Sequence, residues 1–571
     1  MFIPVVIAAL SLSVPAPVVP SPYLDAVETA LSAYTPERIS NYVVRVEREG
    51  VTEHGFPRFA ANLATVVARG RAPEKRDLLR RLMDLCAREM PQSLKRGNRS
   101  AGNDFSVKEI VCALVALEKA GVYPKEVTDA WRAAFTAMKA ADIYTCQPKV
   151  GDKTARNWCV FGAASEQARL AAGMGGSAEY VERYVADQLR FFDANGMYKD
   201  PHQPMVYDQV TRLQYAMILQ FGYDGPSRAK LEELLLKSAE PTLASQAVTG
   251  EIPYGGRSNQ FLHNETCYAA LCEWYASWFK CRGDLKMAGR FRAAASRAMD
   301  SFRRWSAVQP IRHVKNRFPT ATKYGCEDYA YFDKYMVTAG SWACFADRFA
   351  DPEIPCAATP EPDGVFVTSD DFHRVLANVG PYTAEFDWQA QEGYDANGLG
   401  RLVRRGAPSA LCLSTPCPVK SHYHMDVTND IPLAIAPLGW KAFRVAKAEK
   451  REVVLTDGAS VWSNRLSAAG LEMTLSGGER PTLTLPAFAF DGERPTEIRC
   501  DGKALVVTYA GWTCRYETDG ELVDAGRLYG NRNGHYRRFD AIGKDRLTVR
   551  IFIAPNNARL SEGEYLVSLA L

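Results

Sequence analysis

No two cysteines in this chain are spaced as CxxC, which argues against a zinc ribbon. Neither a GxSxG elbow nor an HExxH helix occurs, so the serine hydrolases and zinc proteases built on those motifs fall away. The Gly-rich run YDANGLGRLVRRG, residues 394–406, lacks the strand–GxGxxG–helix context of nucleotide binding; its Arg401, Arg404 and Arg405 read as a solvated basic face. A basic stripe is missing too. Lys and Arg total 69 against 66 Asp and Glu, a net charge of +3, and nucleic acid is not expected as a partner. An anionic substrate stays open, because a local arginine cluster acts within a nearly neutral chain. No repeat of solenoid spacing is visible. No segment after the N-terminus is apolar enough for the roughly 20-residue span that a bilayer requires, so membrane insertion is not expected.

What is present is a chain of 571 residues, too long for one hydrophobic core. Apolar residues make up 47% and charged residues 24%, as in soluble globular proteins. The first 20 residues, MFIPVVIAALSLSVPAPVVP, carry no charge and resemble the apolar part of a secretory signal ending in small residues near Ala16. A secreted or periplasmic location is the expectation. Most of the 14 cysteines sit among apolar residues, as in IVCALVAL, and are expected as buried free thiols, with a few disulfides if the chain is exported.

From residue 21 to about 350 the pattern is helical. KRDLLRRLMDLCAREM and AEYVERYVADQLRFF place apolar residues at i, i+3, i+4 and i+7. About ten such helices alternate with loops rich in Gly, Pro, Asn and Asp, which suggests helical hairpins closed into an α/α toroid. Residues 351–362 read as a linker. From residue 363 to 571 short β-rich runs such as REVVLTDG, PTLTLPAFAF and DRLTVRIFIA recur between turn signals, the pattern of an antiparallel β-sandwich. The expected architecture is an α+β multidomain chain, toroid first and sandwich second.

Polar clusters mark four helix ends: RNWCVFGAASEQARL, NGMYKDPHQPMVYDQVTRLQYAMIL, GEIPYGGRSNQFLHNETCYAAL and KYGCEDYAYFDKYM. The pair Asn157-Trp158, the segment carrying His202 and Tyr207, and Gly256-Arg257-Ser258 together resemble α/α-toroid polysaccharide lyases. These are the hyaluronate/chondroitin lyase-like and heparinase II/III-like enzymes, and related toroid uronic-acid hydrolases are the near alternative. Asn195 stands where the pattern has Asp. The resemblance implies an acidic polysaccharide as substrate.

A uronate lyase removes the weakly acidic C5 proton and expels the O4 substituent. Asn157 suits the task of offsetting charge on the carboxylate. His202, in a proline-bounded loop, suits the base. Tyr207 suits proton transfer to the leaving oxygen, with Tyr254 as alternate, and Arg257 suits a bidentate carboxylate clamp. Trp158, Asn259 and Tyr329 are candidates for sugar contact. His263, Asn264 and Glu265 follow on the next turn and could orient these groups. The competing readings are structural. Asn157 could cap its helix, Tyr207 could be a half-buried aromatic, and Arg257 could pair with Glu251 or Glu265. A glycosidase would instead use paired carboxylates from Asp200, Asp208, Glu251, Glu265, Glu327 and Asp328, with Glu327-Asp328 the strongest pair. In the second domain, SHYHMD places His422 and His424 two apart. With His373 or Asp426 they could hold a metal, and His424 could reach substrate, but two exposed strand histidines are the simpler reading. No cofactor or metal is expected.

Overall fold

The computed structural model describes residues 20–97, 102–144, 157–201, 205–327, 329–357, 363–391, 393–417 and 433–556. His202, Asp328, His422, His424 and Asp426 lie outside the described residues.

Six helices form a closed ring: Gly55–Ala68, Asn103–Lys119, Asn157–Ala171, Met205–Gln220, His263–Cys281 and Phe332–Phe349. Each packs on the next, and the last packs on the first. They are buried around most of their circumference, so their sequences carry small and apolar residues on every side rather than one stripe. Gly340 shows how close the closure is: a Cβ there would meet the Asn62 side chain at 2.4 Å.

An outer layer includes Pro22–Ser32, Pro36–Glu49, Arg76–Glu89, Ala178–Gln188 and Leu285–Ser306. These are the amphipathic helices legible in the sequence, and four of them begin at Ser21, Thr35, Ser177 and Asp284, whose side chains accept a first-turn N–H. The helices of this domain form the expected toroid, but fifteen are present among the described residues rather than about ten. The surplus includes short ones, such as Ala140–Ile143, that carry too few residues to show a period.

The last helix ends at Phe349 and the first strand begins at Gly364. Three antiparallel sheets of four, four and eight strands follow, sharing one apolar core. The first sheet, Gly364–Val367, Arg374–Val379, Tyr382–Asp387 and Gly398–Arg404, is buried on both faces along its middle strands. One face meets the helical domain, where Thr383 Oγ1 accepts from Val248 N (2.8 Å) and Glu385 Oε2 from Tyr254 N (3.2 Å). The reading of Arg401 as a solvated residue is corrected here. It lies in a strand, fully buried, 2.6 Å from Glu385, and donates to Ile252 O at 2.7 Å. The described cysteines are free thiols, and seven of them are buried.

Candidate active site

A cleft of about 390 Å³ opens where the six ring helices begin. His54 and Arg58, Phe105, Trp158, Tyr207, His263 and Tyr335 each stand beside or within the first turns of a different ring helix, and all line it. Four of these starts, at His54, Gly102, Leu262 and Tyr331, have no side-chain cap. At the first of them the Gly55 N–H is taken instead by Glu53 Oε2 at 2.6 Å. The positive ends of the helix dipoles gather at one mouth, a field that favours anions.

Tyr207 is the centre of the polar lining. Its hydroxyl is 2.9 Å from Ser258 Oγ, which is also 3.0 Å from the Tyr329 hydroxyl and 3.4 Å from that of Tyr335. Burial, then the neighbouring phenols Tyr335 and Tyr329, push the Tyr207 phenol well above its ordinary range, so the hydroxyl is neutral. The Arg257 guanidinium stacks 4.0 Å from the Tyr207 ring centre. Arg257 does pair with a carboxylate, but with Asp200 rather than Glu251 or Glu265. Asp200 in turn accepts from the Asn157 backbone N–H at 3.0 Å. Asn157 is thus the first residue of its helix, with Asp200 receiving its N–H. It is only 1% exposed and stands behind the lining, while its neighbour Trp158 forms part of the wall, edge-on to Phe105 at 4.8 Å.

Other candidates are placed differently from expectation. Tyr254 is fully buried at the domain junction beneath the Arg374 guanidinium, 4.3 Å from its ring centre, because strand residue Gly400 leaves room for its hydroxyl there. Glu265 is buried against Lys315 Nζ at 2.6 Å. Asn259 is buried, and its carbonyl accepts from Arg532 at 2.9 Å. Glu327 is buried too, accepting from Ser258 N (2.6 Å) and from Arg532 Nη2 (2.5 Å). The structure therefore brings Trp158, Tyr207, Arg257, His263 and Tyr329 together in one cleft, and leaves Tyr254, Asn259, Glu265 and Glu327 out of its lining. His202 and His424 are outside the described residues. His373 is buried with Nδ1 2.6 Å from Asp387, and no group of three His, Cys, Asp or Glu able to hold a metal occurs among the described residues.

The other described candidate carboxylates also have partners. Asp208 binds Arg212 and the Tyr198 N–H, and Glu251 accepts from Thr249, Ser409 and Trp305. None of the described residues lining the cleft is acidic.

Sequence reasoning missed the four other titratable lining residues: His54, Arg58, Lys334 and Tyr335. His54 and Arg58 lie in VTEHGFPRF, a polar turn entering a helix, which is the same kind of position as Asn157. Arg58 Nη1 is 3.2 Å from His54 Nδ1. A guanidinium only donates, so Nδ1 accepts and the neutral ring carries its proton on Nε2. Burial, with Arg58 and Lys334 next, holds the His54 pKa well below the usual histidine range. Burial also depresses Lys334, which has no carboxylate within ion-pair distance among the described residues.

His263 is pulled down to about 3 by burial and by the cations Arg58 and Lys315. The folded imidazole refuses the proton that the unfolded chain accepts near 6.5. Its contribution is therefore full above that pH and is lost as pH falls, by about 1.4 kcal/mol per pH unit. His263→Gln should flatten the acid-side loss of stability by about that slope between pH 6.5 and 5, measured by urea unfolding. Parallel wild-type and variant curves would show that His263 does not refuse its proton.

No protein-family model matches the chain, and no curated protein matches it in sequence. Similar solved structures include a heparan sulfate lyase from Pedobacter heparinus (8% identity, 86% of this chain and 75% of that one, TM-score 0.44). A heparinase III has 8% identity over 87% of this chain and 78% of its own, with TM-score 0.45. A β-L-arabinofuranosidase from Geobacillus stearothermophilus T6 has 10% identity over 93% of this chain and 80% of its own, with TM-score 0.32. Lyases and a hydrolase both appear, so the likeness does not separate the two chemistries.

Proposed function

We propose that this chain is a polysaccharide lyase that cleaves an acidic glycan beside a uronic acid by β-elimination. One observation carries the reading: the cleft is lined by cations, phenols and imidazoles, and by no carboxylate among the described residues. A glycosidase needs two carboxyl groups across the scissile bond. Here Asp200 and Glu327 are each held by an arginine, and neither lines the cleft.

Elimination asks for something else. The uronate carboxylate must be relieved of charge while C5 loses its proton. Lys334, Arg257 and the Nε2–H of His54 supply positive charge and a hydrogen bond for that carboxylate. Asn157 contributes from behind, by fixing Asp200 and through it Arg257. His202 is the base that takes the C5 proton. The C4=C5 bond forms, the C4–O4 bond breaks, and the Tyr207 proton passes to O4. Secretion or a periplasmic location fits such a substrate. No described helix is long and apolar enough to cross a membrane.

The test is incubation with a panel of uronate polymers, followed by ultraviolet absorbance and reducing-end assays. A lyase yields the absorbing 4,5-unsaturated uronate. New reducing ends without that absorbance would turn the reading to a hydrolase, and bound glycan with neither would turn it to a binding protein.

A further inference from the structure

Three phenols converge on one buried hydroxyl. Ser258 Oγ has Tyr207 at 2.9 Å, Tyr329 at 3.0 Å and Tyr335 at 3.4 Å. A serine hydroxyl has one proton to give and two lone pairs, so three hydroxyl neighbours occupy all of its capacity. Ser258 is 1% exposed, whereas Tyr329 is 39% exposed at the rim. The three oxygens of Tyr329, Ser258 and Tyr207 thus form a continuous hydrogen-bonded line, with Tyr329 the most exposed of the three residues.

The backbone is built to hold this position. Ser258 sits at φ +56°, in the left-handed region that non-glycine residues seldom adopt. Its N–H is held by Glu327 (2.6 Å), and its carbonyl accepts from Asn264 Nδ2 (3.2 Å). Arg532, from the second domain, clamps Glu327 and the neighbouring Asn259 carbonyl. Such backbone strain persists where the surroundings over-determine it, and it concentrates at functional sites.

We propose that Ser258 is a positioning residue that returns the proton to Tyr207 after each elimination, passing it from Tyr329 along hydroxyl hydrogen bonds. The inference rests on the lyase reading. When Tyr207 gives its proton to O4 it becomes a phenolate in a cleft filled by polysaccharide, where bulk water is excluded. Tyr329 donates to Ser258 Oγ as Ser258 donates to Tyr207, and Tyr329 regains a proton from solvent at the rim. One O–H bond breaks and one forms at each oxygen, and no redox partner is needed. The net result is one proton moved from solvent to Tyr207, balancing the one that His202 carries from C5 and later releases.

The experiment compares wild type, Ser258→Ala and Ser258→Gly on a polymer that wild type cleaves, at rising imidazole buffer concentration and fixed pH and ionic strength. Both variants should lose about tenfold or more in kcat, with KM within about twofold, the size of a lost acid–base contribution. Their kcat should rise with buffer concentration, because imidazole replaces the missing relay, while wild type stays flat. Glycine relaxes the left-handed turn, so a fully active Ser258→Gly beside an impaired Ser258→Ala would assign the loss to the backbone and overturn the relay. A buffer-independent loss in both variants, or no loss, overturns it as well. If wild type produces no unsaturated uronate from any polymer, the lyase reading fails and the relay falls with it. That outcome is distinct from an active wild type with buffer-insensitive variants.

Discussion

Tyr207→Phe is expected to lower the elimination rate by about 10²–10⁴-fold while leaving KM within a few-fold and the melting temperature close to wild type. The substitution removes one oxygen and keeps the ring. The ring is what Arg257 stacks on, 4.0 Å from its centre, so the Arg257–Asp200 pair and the start of the Asn157 helix should stand unchanged. What disappears is the only group in this proposed scheme that protonates O4. Ser258 keeps two phenols within 3.4 Å, so the loss does not strand it. Steady-state kinetics by ultraviolet absorbance measure the effect, with His202→Ala in parallel. Near-wild-type elimination in both variants would remove the proposed acid and base together and end this assignment of the site.

Arg532→Met carries the largest expected effect on stability. Arg532 and Glu327 are both almost fully buried, 2.5 Å apart, and are contributed by different domains. Removing the guanidinium leaves a carboxylate in the interior with a single backbone N–H to satisfy it, and breaking a buried pair in this way costs about 3–5 kcal/mol. The Asn259 carbonyl loses its donor in the same step. Because Glu327 also holds Ser258 in its left-handed turn, activity should fall further than unfolding alone explains at temperatures where the variant is folded. Denaturant unfolding of Arg532→Met, Glu327→Gln and the double variant measures the stability effect, and ultraviolet kinetics on the folded variants measure the effect on activity. The double variant should be more stable than Arg532→Met, since a neutral amide can still accept from Ser258 and carries no charge to strand. A single variant within about 1 kcal/mol of wild type would mean that the pair does not hold the domains together.

Much of the fold was legible because one-dimensional patterns encode burial directly. The outer helices, such as Arg76–Glu89 and Ala178–Gln188, carry a stripe at helical period, and the strands Glu452–Thr456 and Leu471–Ser476 alternate in burial as their sequences alternate in polarity. The loops that mark helix starts were legible from Gly, Pro and Asn, and three of the segments they flagged supply Trp158, Tyr207, Arg257 and His263 to the cleft. Lys334 and Tyr335 lay in the fourth segment, KYGCEDYAYFDKYM, but were not singled out, since a lysine and a tyrosine on a helix look like ordinary surface and core.

By itself the sequence determined the two-part architecture, the residue types available at the helix ends, and the absence of the GxSxG and HExxH motifs. Only the tertiary structure decided which of those residues meet. Closing the ring sets Gly55–Ala68 against Phe332–Phe349, and that contact brings His54 and Arg58 beside Lys334 and Tyr335 at one mouth. It also gave Arg257 to Asp200, Glu327 to Arg532 and Arg401 to Glu385, pairs that no local pattern distinguishes from their alternatives. The physical reason is that periodicity reports how deeply a side chain is buried. The identity of its neighbour depends on packing between elements far apart in the chain, and for charged groups that neighbour decides between holding the scaffold and facing the substrate.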